Sequence, residues 1–213
     1  PLQKLTGVQE FMGLEFYVNE HVLIPRQDTE TLVELVLSEH KEKNISLLDV
    51  CTGSGCIAIS LAKLGGYTDV TALDLSEEAL KVARSNGEKL LDQPVKFIKS
   101  DMFSALNPEK QYNVIVSNPP YIPSQVIEGL EPEVKDHEPR MALDGEPDGL
   151  KFYRILAEEG KKYLKNGGSI YMEIGWDQAK DVTEIFEAMG FSGLRTVRDM
   201  AGNDRVVCAR KEK

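Results

Sequence analysis

Asn118-Pro119-Pro120-Tyr121 follows directly on the apolar run Tyr112-Asn113-Val114-Ile115-Val116-Ser117, and its residue types suit a site that grips a planar amino group. An amide NH2 is a poor nucleophile because its lone pair is delocalised into the carbonyl, a resonance that costs about 18–20 kcal/mol to break fully in a peptide. A site that methylates such a nitrogen must aim the lone pair at the incoming carbon. The Asn118 side-chain carbonyl and a main-chain carbonyl at a proline, which has no N–H of its own, can accept the two amide hydrogens. That combines orientation with preorganised dipoles. Tyr121 can lay an apolar wall against the flat group at small conformational cost. Candidate catalytic roles therefore fall on Asn118, Pro119 and Tyr121, and contact with the methyl acceptor on Asn118, Pro119, Pro120 and Tyr121. The implied chemistry is methylation of an amide or exocyclic amine nitrogen. A simple turn is the alternative, because Asn and Pro also build turns.

A second group of residues suits a nucleoside. Asp49-Val50-Cys51-Thr52-Gly53-Ser54-Gly55-Cys56 lies where a strand turns into a helix, and glycines there let a ligand approach the backbone. A phosphate-binding P-loop needs Gly-Lys-Ser/Thr, and no Lys follows Gly55. The G-x-G-x-x-G pattern of a dinucleotide fold survives only with Ala58 in the third place. Asp74 ends the next strand, where a carboxylate can take both ribose hydroxyls in an NAD or an S-adenosylmethionine site. Asp101 follows the strand after that, placed to accept from an adenine amino group with Met102 beside the ring. Candidate cofactor contacts are thus Thr52, Gly53, Ser54, Gly55, Asp74, Asp101 and Met102.

The elements that must position these residues alternate along the chain. Two extended segments, 11–18 and 21–24, read as a β-hairpin turning at Asn19-Glu20. Asp28-Thr29-Glu30 carries capping and first-turn acid signals for a helix reaching about His40. Strands are expected at 45–50, 70–74, 95–99, 113–117 and 169–174. Helices are expected at 56–64, 76–91 with Ser76 as cap, 150–164 and 177–189. The closing pair, 194–199 and 204–209, is separated by Met200-Ala201-Gly202-Asn203 and predicts an antiparallel end. The fold class is α/β, a mainly parallel sheet with helices on both faces. Its candidate residues lie at four successive strand ends on one rim. Residues 122–149 show no period and carry Pro123, Pro132, Pro139 and Pro147, which predicts a lid over a substrate.

Composition narrows the class. The chain has 213 residues, 41% of them hydrophobic, enough for one domain with a full core. No apolar run is long enough for a membrane span, and the start lacks a signal pattern, so a cytoplasmic protein without membrane contact is expected. Three cysteines, Cys51, Cys56 and Cys208, follow no metal spacing, so buried thiols are expected and no metal site. His21, His40 and His137 form no triad or ligand set. Net charge is −10, which disfavours a broad phosphate-binding face and hence nucleic acid as partner. Arg26 either walls the cofactor or substrate pocket or pairs with Glu30 or Asp28. Glu173 is expected to bond loop backbone structurally, and Trp176 to pack.

Leu23-Ile24-Pro25-Arg26-Gln27-Asp28-Thr29-Glu30, the Asp49–Gly55 loop, Asn118–Tyr121, Glu173-Ile174-Gly175 with Gln178, and Arg198–Arg205 together resemble the HemK/PrmC glutamine methyltransferases across essentially the whole chain. The resemblance implies a class I S-adenosylmethionine-dependent methyltransferase with a Rossmann-like seven-stranded sheet. It implies transfer to the Gly-Gly-Gln glutamine of peptide chain release factors, with S-adenosylhomocysteine as product. Thr52–Gly55, Asp74, Met102 and Asn118 would then meet the cofactor, and Asn118–Tyr121 the glutamine. A glutamine of another protein, such as a ribosomal protein, or adenine N6 of a nucleic acid are the alternative acceptors. The family carries a helical N-terminal domain, so residues 1–26 are expected to be a hairpin and linker remnant and 27–213 the catalytic domain. Two departures stand out. Gln27 replaces a usual proline, mild if it begins a helix, and Cys51 replaces a common glycine, which implies that this position needs no positive φ.

Overall fold

The computed structural model describes residues 6–135 and 138–213, so His137 lies outside the described residues. A hairpin of β1 (Val8–Phe11) and β2 (Leu14–Tyr17) leads through a 3-10 turn, Gln27–Thr29, into α1 (Glu30–Glu39). Alternation then begins: β3 (Ser46–Val50), α2 (Cys56–Gly65), β4 (Asp69–Asp74), α3 (Glu77–Leu90), β5 (Lys96–Lys99) and β6 (Tyr112–Ser117). Three short helices follow, α4 (Ser124–Ile127), α5 (Pro132–Lys135) and α6 (Arg140–Leu143). The chain closes with α7 (Lys151–Tyr163), β7 (Leu164–Glu173), α8 (Ala179–Ala188), β8 (Ser192–Arg198) and β9 (Asp204–Arg210).

Seven strands form one sheet in the order β5-β4-β3-β6-β7-β9-β8. From β5 to β7 neighbours are parallel, and β9 is antiparallel to both β7 and β8. The chain enters at β3, runs outward through β4 and β5, and crosses back to place β6 on the other side of β3. Such a reversal opens a crevice at the carboxyl ends of the two central strands. Parallel strands covered on both faces read as continuous apolar runs, and the central strands divide their side chains accordingly. Leu47, Val114 and Val116 face α1 and α2 in one core, while Leu48, Ile115 and Met172 face α7 and α8 in the other. Among the described residues no helix is long and apolar enough to cross a membrane.

Three expectations fail against the structure. The hairpin turns at Met12-Gly13, not at Asn19-Glu20, with φ of 52° and 75° at the two turn residues. A two-residue turn with both φ positive matches the twist of a hairpin, and Met12, an unusual residue for it, has its amide held by the Glu30 carboxylate at 2.7 Å. Residues 21–24 are not a strand. Their Val22 and Ile24 are buried against the body of the protein. The capping reading of Asp28 and Thr29 also fails, because neither the 3-10 turn nor α1 has a side-chain cap. The Thr29 hydroxyl goes instead to Glu173, and the Asp28 carboxylate lies 3.7 Å from the Arg205 guanidinium. Ser76 does cap α3, accepting from the Ala79 amide at 3.1 Å. Gln27 begins the 3-10 turn, which fits its replacement of a proline there.

Phe11 and Phe16 of the hairpin belong to the core that contains α1 and α2. The hairpin is fastened to the parallel sheet through Asn86 of α3, which is fully buried. Its side chain accepts from the Tyr17 amide at 2.6 Å and donates to the carbonyls of Tyr17 at 3.1 Å and Ser54 at 2.9 Å. One amide thus joins the hairpin to the loop after β3. Asn86→Ala would strand these groups, and leaving a buried polar group unpaired costs roughly 1–3 kcal/mol. Urea unfolding should show a loss of that size, and a variant as stable as the wild type would contradict this role.

Candidate active site

Most of the residues singled out from the sequence converge on a cavity of about 260 Å³ at the β3–β6 crevice. Thr52, Gly53 and Ser54 line one side, with Asp74, Asp101 and Met102 further along, and Asn118, Pro120 and Arg26 also contribute. Gly55, Pro119 and Tyr121 do not line it. Leu23, Ile24 and Thr29 from the segment after the hairpin complete part of the wall, as do Pro139, Met141 and Ala142 from the 122–149 segment. The described residues of that segment form short helices and contribute directly to the cavity. Its Glu138 carboxylate is buried and accepts from the Ile24 amide at 3.2 Å.

The loop after β3 holds its shape through cross-strand bonds. The Thr52 amide donates to the Leu73 carbonyl at 2.8 Å and the Gly55 amide to the Thr52 carbonyl at 2.9 Å. This tight path puts Cys51 at φ +67°, contrary to the expectation that its non-glycine side chain signals ordinary backbone. A left-handed conformation costs a non-glycine residue roughly 1–2 kcal/mol. Met102 is likewise at φ +50°, its turn held by the Ser100 hydroxyl, which donates to the Met102 carbonyl at 2.6 Å. The two strained residues meet at their sulfur atoms, 3.8 Å apart. At Gly53, φ is +57° and an added Cβ would meet no atom within 4 Å, so the backbone there is open to a ligand. Gly55 is closed instead: an added Cβ would come within 2.8 Å of Ile59.

Asp74 sits at the end of β4 with its carboxylate fixed by the amides of Gly53 at 2.8 Å and Ser76 at 2.9 Å. Burial raises its pKa against the opposing pull of those amides. Each oxygen keeps a further lone pair for a donor, as a ribose would supply. Asp49, fully buried beneath the same loop, accepts from the Thr52 hydroxyl at 2.7 Å. Burial and the nearby Asp74 charge push its carboxyl up to about 7. The thiols of Cys56 and Cys208 are pushed up to about 12 by burial, which makes them inert at neutral pH.

Sequence reasoning did not foresee how the Asn118–Tyr121 loop is held. Ser117 donates its hydroxyl to the Val50 carbonyl at 2.6 Å, locking the last residue of β6 to the last of β3. Gln178, quoted above only as part of a motif, accepts from the Gly175 amide at 2.8 Å. Its NH2 donates to the carbonyls of Tyr121 at 2.9 Å and Gly149 at 3.3 Å. Glu173 bonds side chains and not loop backbone: its carboxylate accepts the hydroxyls of Thr29 and Tyr121. Burial raises its pKa, opposed by the Thr29 hydroxyl and the Arg205 charge. Arg26 lies 3.9 Å from Glu138, not against Glu30 or Asp28, because Glu30 is engaged by Met12 and Asp28 lies beside Arg205. Trp176 does not pack: it is 67% exposed and takes no part in the cavity.

An open glycine loop, a strand-end carboxylate and the Asn118–Tyr121 loop meet at one crevice of a mainly parallel sheet, an arrangement that suits a methyltransferase. The family model described as the methyltransferase small domain matches residues 27–129. A methyltransferase from Pyrococcus furiosus shares the fold at a TM-score of 0.69, with 20% identity, over 95% of this chain and 91% of its own. The release factor glutamine methyltransferase of Geobacter sulfurreducens is 42% identical over 99% of this chain and 73% of its own length. That of Fusobacterium nucleatum is 45% identical, and this chain spans 60% of its length. The solved protein-(glutamine-N5) methyltransferase (release factor-specific) of Alicyclobacillus acidocaldarius is 31% identical, with a TM-score of 0.55, over 93% of this chain and all of its own. The chain belongs to the release factor glutamine methyltransferase family.

Two outcomes follow from the strained loop and its buried acid. Cys51→Gly lifts the left-handed cost that Cys51 already carries, and Cys51→Val keeps that cost and adds a β-branch at positive φ, so the valine variant should be less stable than the glycine variant by at least about 1–2 kcal/mol; equal stability of the two in urea unfolding would contradict the loop conformation. For Asp49, the unfolded chain releases the proton near pH 4, while the folded state holds it up to about 7. Between these values the folded state binds more protons, so stability falls as pH rises through the window. Asp49→Asn should remove that part of the slope, as chemical denaturation from pH 4 to 8 would show.

Proposed function

We propose that this chain transfers the methyl group of S-adenosylmethionine to the side-chain amide nitrogen of a glutamine, that of the Gly-Gly-Gln segment in peptide chain release factors. The observation that carries the reading is that Asn118 shares one cavity with the open backbone at Gly53, the Asp74 carboxylate and Met102. Relatives 42% and 45% identical to this chain bear the name of that reaction. When bound, S-adenosylmethionine would supply an electrophilic methyl group on a sulfonium, which calls for no enzyme nucleophile.

The chain's own residues hold and orient. Thr52, Gly53 and Ser54 would border the cofactor, Asp74 would accept from its ribose hydroxyls, Asp101 would accept from the adenine amino group, and Met102 would pack beside the ring. Asn118 accepts one amide hydrogen of the glutamine and the Pro119 carbonyl the other, which turns the nitrogen lone pair out of conjugation and toward the methyl carbon. Tyr121 walls the amide, Pro120 shapes the turn, and Arg26 bounds the acceptor side. Transfer to this nitrogen would be direct and in line, the new N–C bond forming as the methyl–sulfur bond breaks to leave S-adenosylhomocysteine, and the extra proton on nitrogen would pass to water.

Incubation of the chain with S-adenosylmethionine and a Gly-Gly-Gln release factor, followed by mass spectrometry, should show a single methyl on the glutamine. An adenine-containing oligonucleotide in parallel should remain unmodified; methylated adenine with an unmodified factor would overturn the reading. Asn118→Ala should slow transfer about a hundredfold to a thousandfold, the loss expected for one preorganised polar contact, with an unchanged far-UV circular dichroism spectrum. Turnover near that of the wild type would remove Asn118 from the mechanism.

A further inference from the structure

We propose that Glu173 is a positioning residue for the methyl acceptor, acting through the hydroxyl of Tyr121, an inference that rests on the transfer reaction proposed above. In the Asn118–Tyr121 loop the two prolines are fixed by their rings, but Tyr121 has two rotatable side-chain bonds and needs an external anchor to present its ring in one orientation. The structure supplies anchors at both ends of the residue. At the backbone, Gln178 donates to the Tyr121 carbonyl at 2.9 Å. At the far end, the Tyr121 hydroxyl donates to Glu173 Oε2 at 3.2 Å.

Glu173 is built to be immobile. It is 3% exposed, its other carboxylate oxygen accepts the Thr29 hydroxyl, and its main-chain carbonyl accepts the Tyr153 hydroxyl at 2.6 Å. Thr29 itself lines the cavity, so the carboxylate joins one cavity wall to the acceptor loop. Gly175 leaves room for the Gln178 anchor: a Cβ there would crowd Gln178 Oε1 at 3.0 Å while only touching Tyr121 Cδ1 at 3.4 Å. Neither Glu173 nor Tyr121 lines the cavity, so the effect of Glu173 on transfer passes through the tyrosine to Asn118 and Pro120, which do. Loss of the anchor should therefore appear in the rate of the bound complex and leave cofactor affinity alone.

The test is a double-variant cycle with Glu173→Gln, in which an NH2 donor replaces one of the two oxygens that accept the hydroxyls of Thr29 and Tyr121, and Tyr121→Phe, which keeps the ring and deletes only the hydroxyl. Each single variant should lower kcat roughly tenfold to a hundredfold, the scale of a misoriented reactant, with the S-adenosylhomocysteine Kd from calorimetry unchanged. The double variant should be no slower than the slower single, because residues acting as one unit are not additive. Losses that multiply, or a kcat unaffected by Tyr121→Phe, would overturn the proposal. Hydrogen exchange provides a reading without substrate. In Glu173→Gln the amides of Tyr121 and Ile122 should exchange faster while those of β3 and β6 keep their protection; uniform acceleration across the sheet would show that Glu173 only holds the fold. If the wild type methylates no glutamine, the proposed function fails, and the exchange experiment still decides the positioning role.

Discussion

The Ser117 hydroxyl donates to the Val50 carbonyl at 2.6 Å, where the register pairs the last residues of β3 and β6. This contact fixes two chain ends side by side, and both continue into loops that can form neither strand nor helix. After Val50 the loop carries Gly53 and Gly55, and after Ser117 come two prolines. One loop leaves backbone exposed and the other leaves a carbonyl and an amide side chain without local N–H competition. In the proposed reaction a methyl donor and an acceptor brought to these loops would meet because β3 and β6 are adjacent. That adjacency exists only because the chain reverses direction across the sheet between β5 and β6.

Loops of this kind carry few apolar contacts of their own, and the structure holds them with buried polar groups. Asn86 secures the Ser54 carbonyl, Gln178 the Tyr121 carbonyl, Asp49 the Thr52 hydroxyl and Glu173 the Tyr121 hydroxyl. All four are buried, where a polar group without a partner is costly and a paired one is rigid. The same economy explains the local strain. Cys51 and Met102 sit in left-handed backbone beside the cavity, and the bonds made by Thr52 and Ser100 sustain that geometry.

Much of this was legible in the residue pattern because its causes are local. Strand and helix alternation follows from apolar runs and punctuating glycines, and the capping of α3 from Ser76. The rim location of Asp74, Asp101 and Asn118 follows from parallel topology alone. The features that escaped depend on tertiary partners. The hairpin turn at Met12-Gly13 carries a methionine that a turn pattern does not favour, and its amide is met by Glu30, 18 residues away. Asp28, Thr29 and Glu30 look like a helix start, yet Thr29 and Glu30 are hydrogen-bonded by distant residues and Asp28 lies beside Arg205. Cys51 offers no outward sign of positive φ, because only the cross-strand bond to Leu73 demands it. Gln178 and Glu173 show in the sequence as motif members, but their bonding to Tyr121 is a property of the folded chain.

The central claim is that the β3–β6 crevice holds a glutamine amide between Asn118 and Pro119 and turns its nitrogen toward the methyl donor. A crystal structure of the chain with S-adenosylhomocysteine and a Gly-Gly-Gln peptide tests it most directly. The account predicts the glutamine nitrogen within hydrogen-bond distance of Asn118 Oδ1 and the Pro119 carbonyl, its amide plane against Tyr121, and the cofactor sulfur on the opposite side of the nitrogen. A peptide glutamine bound away from Asn118, or a cofactor lodged outside the Thr52–Ser54 loop, would contradict it.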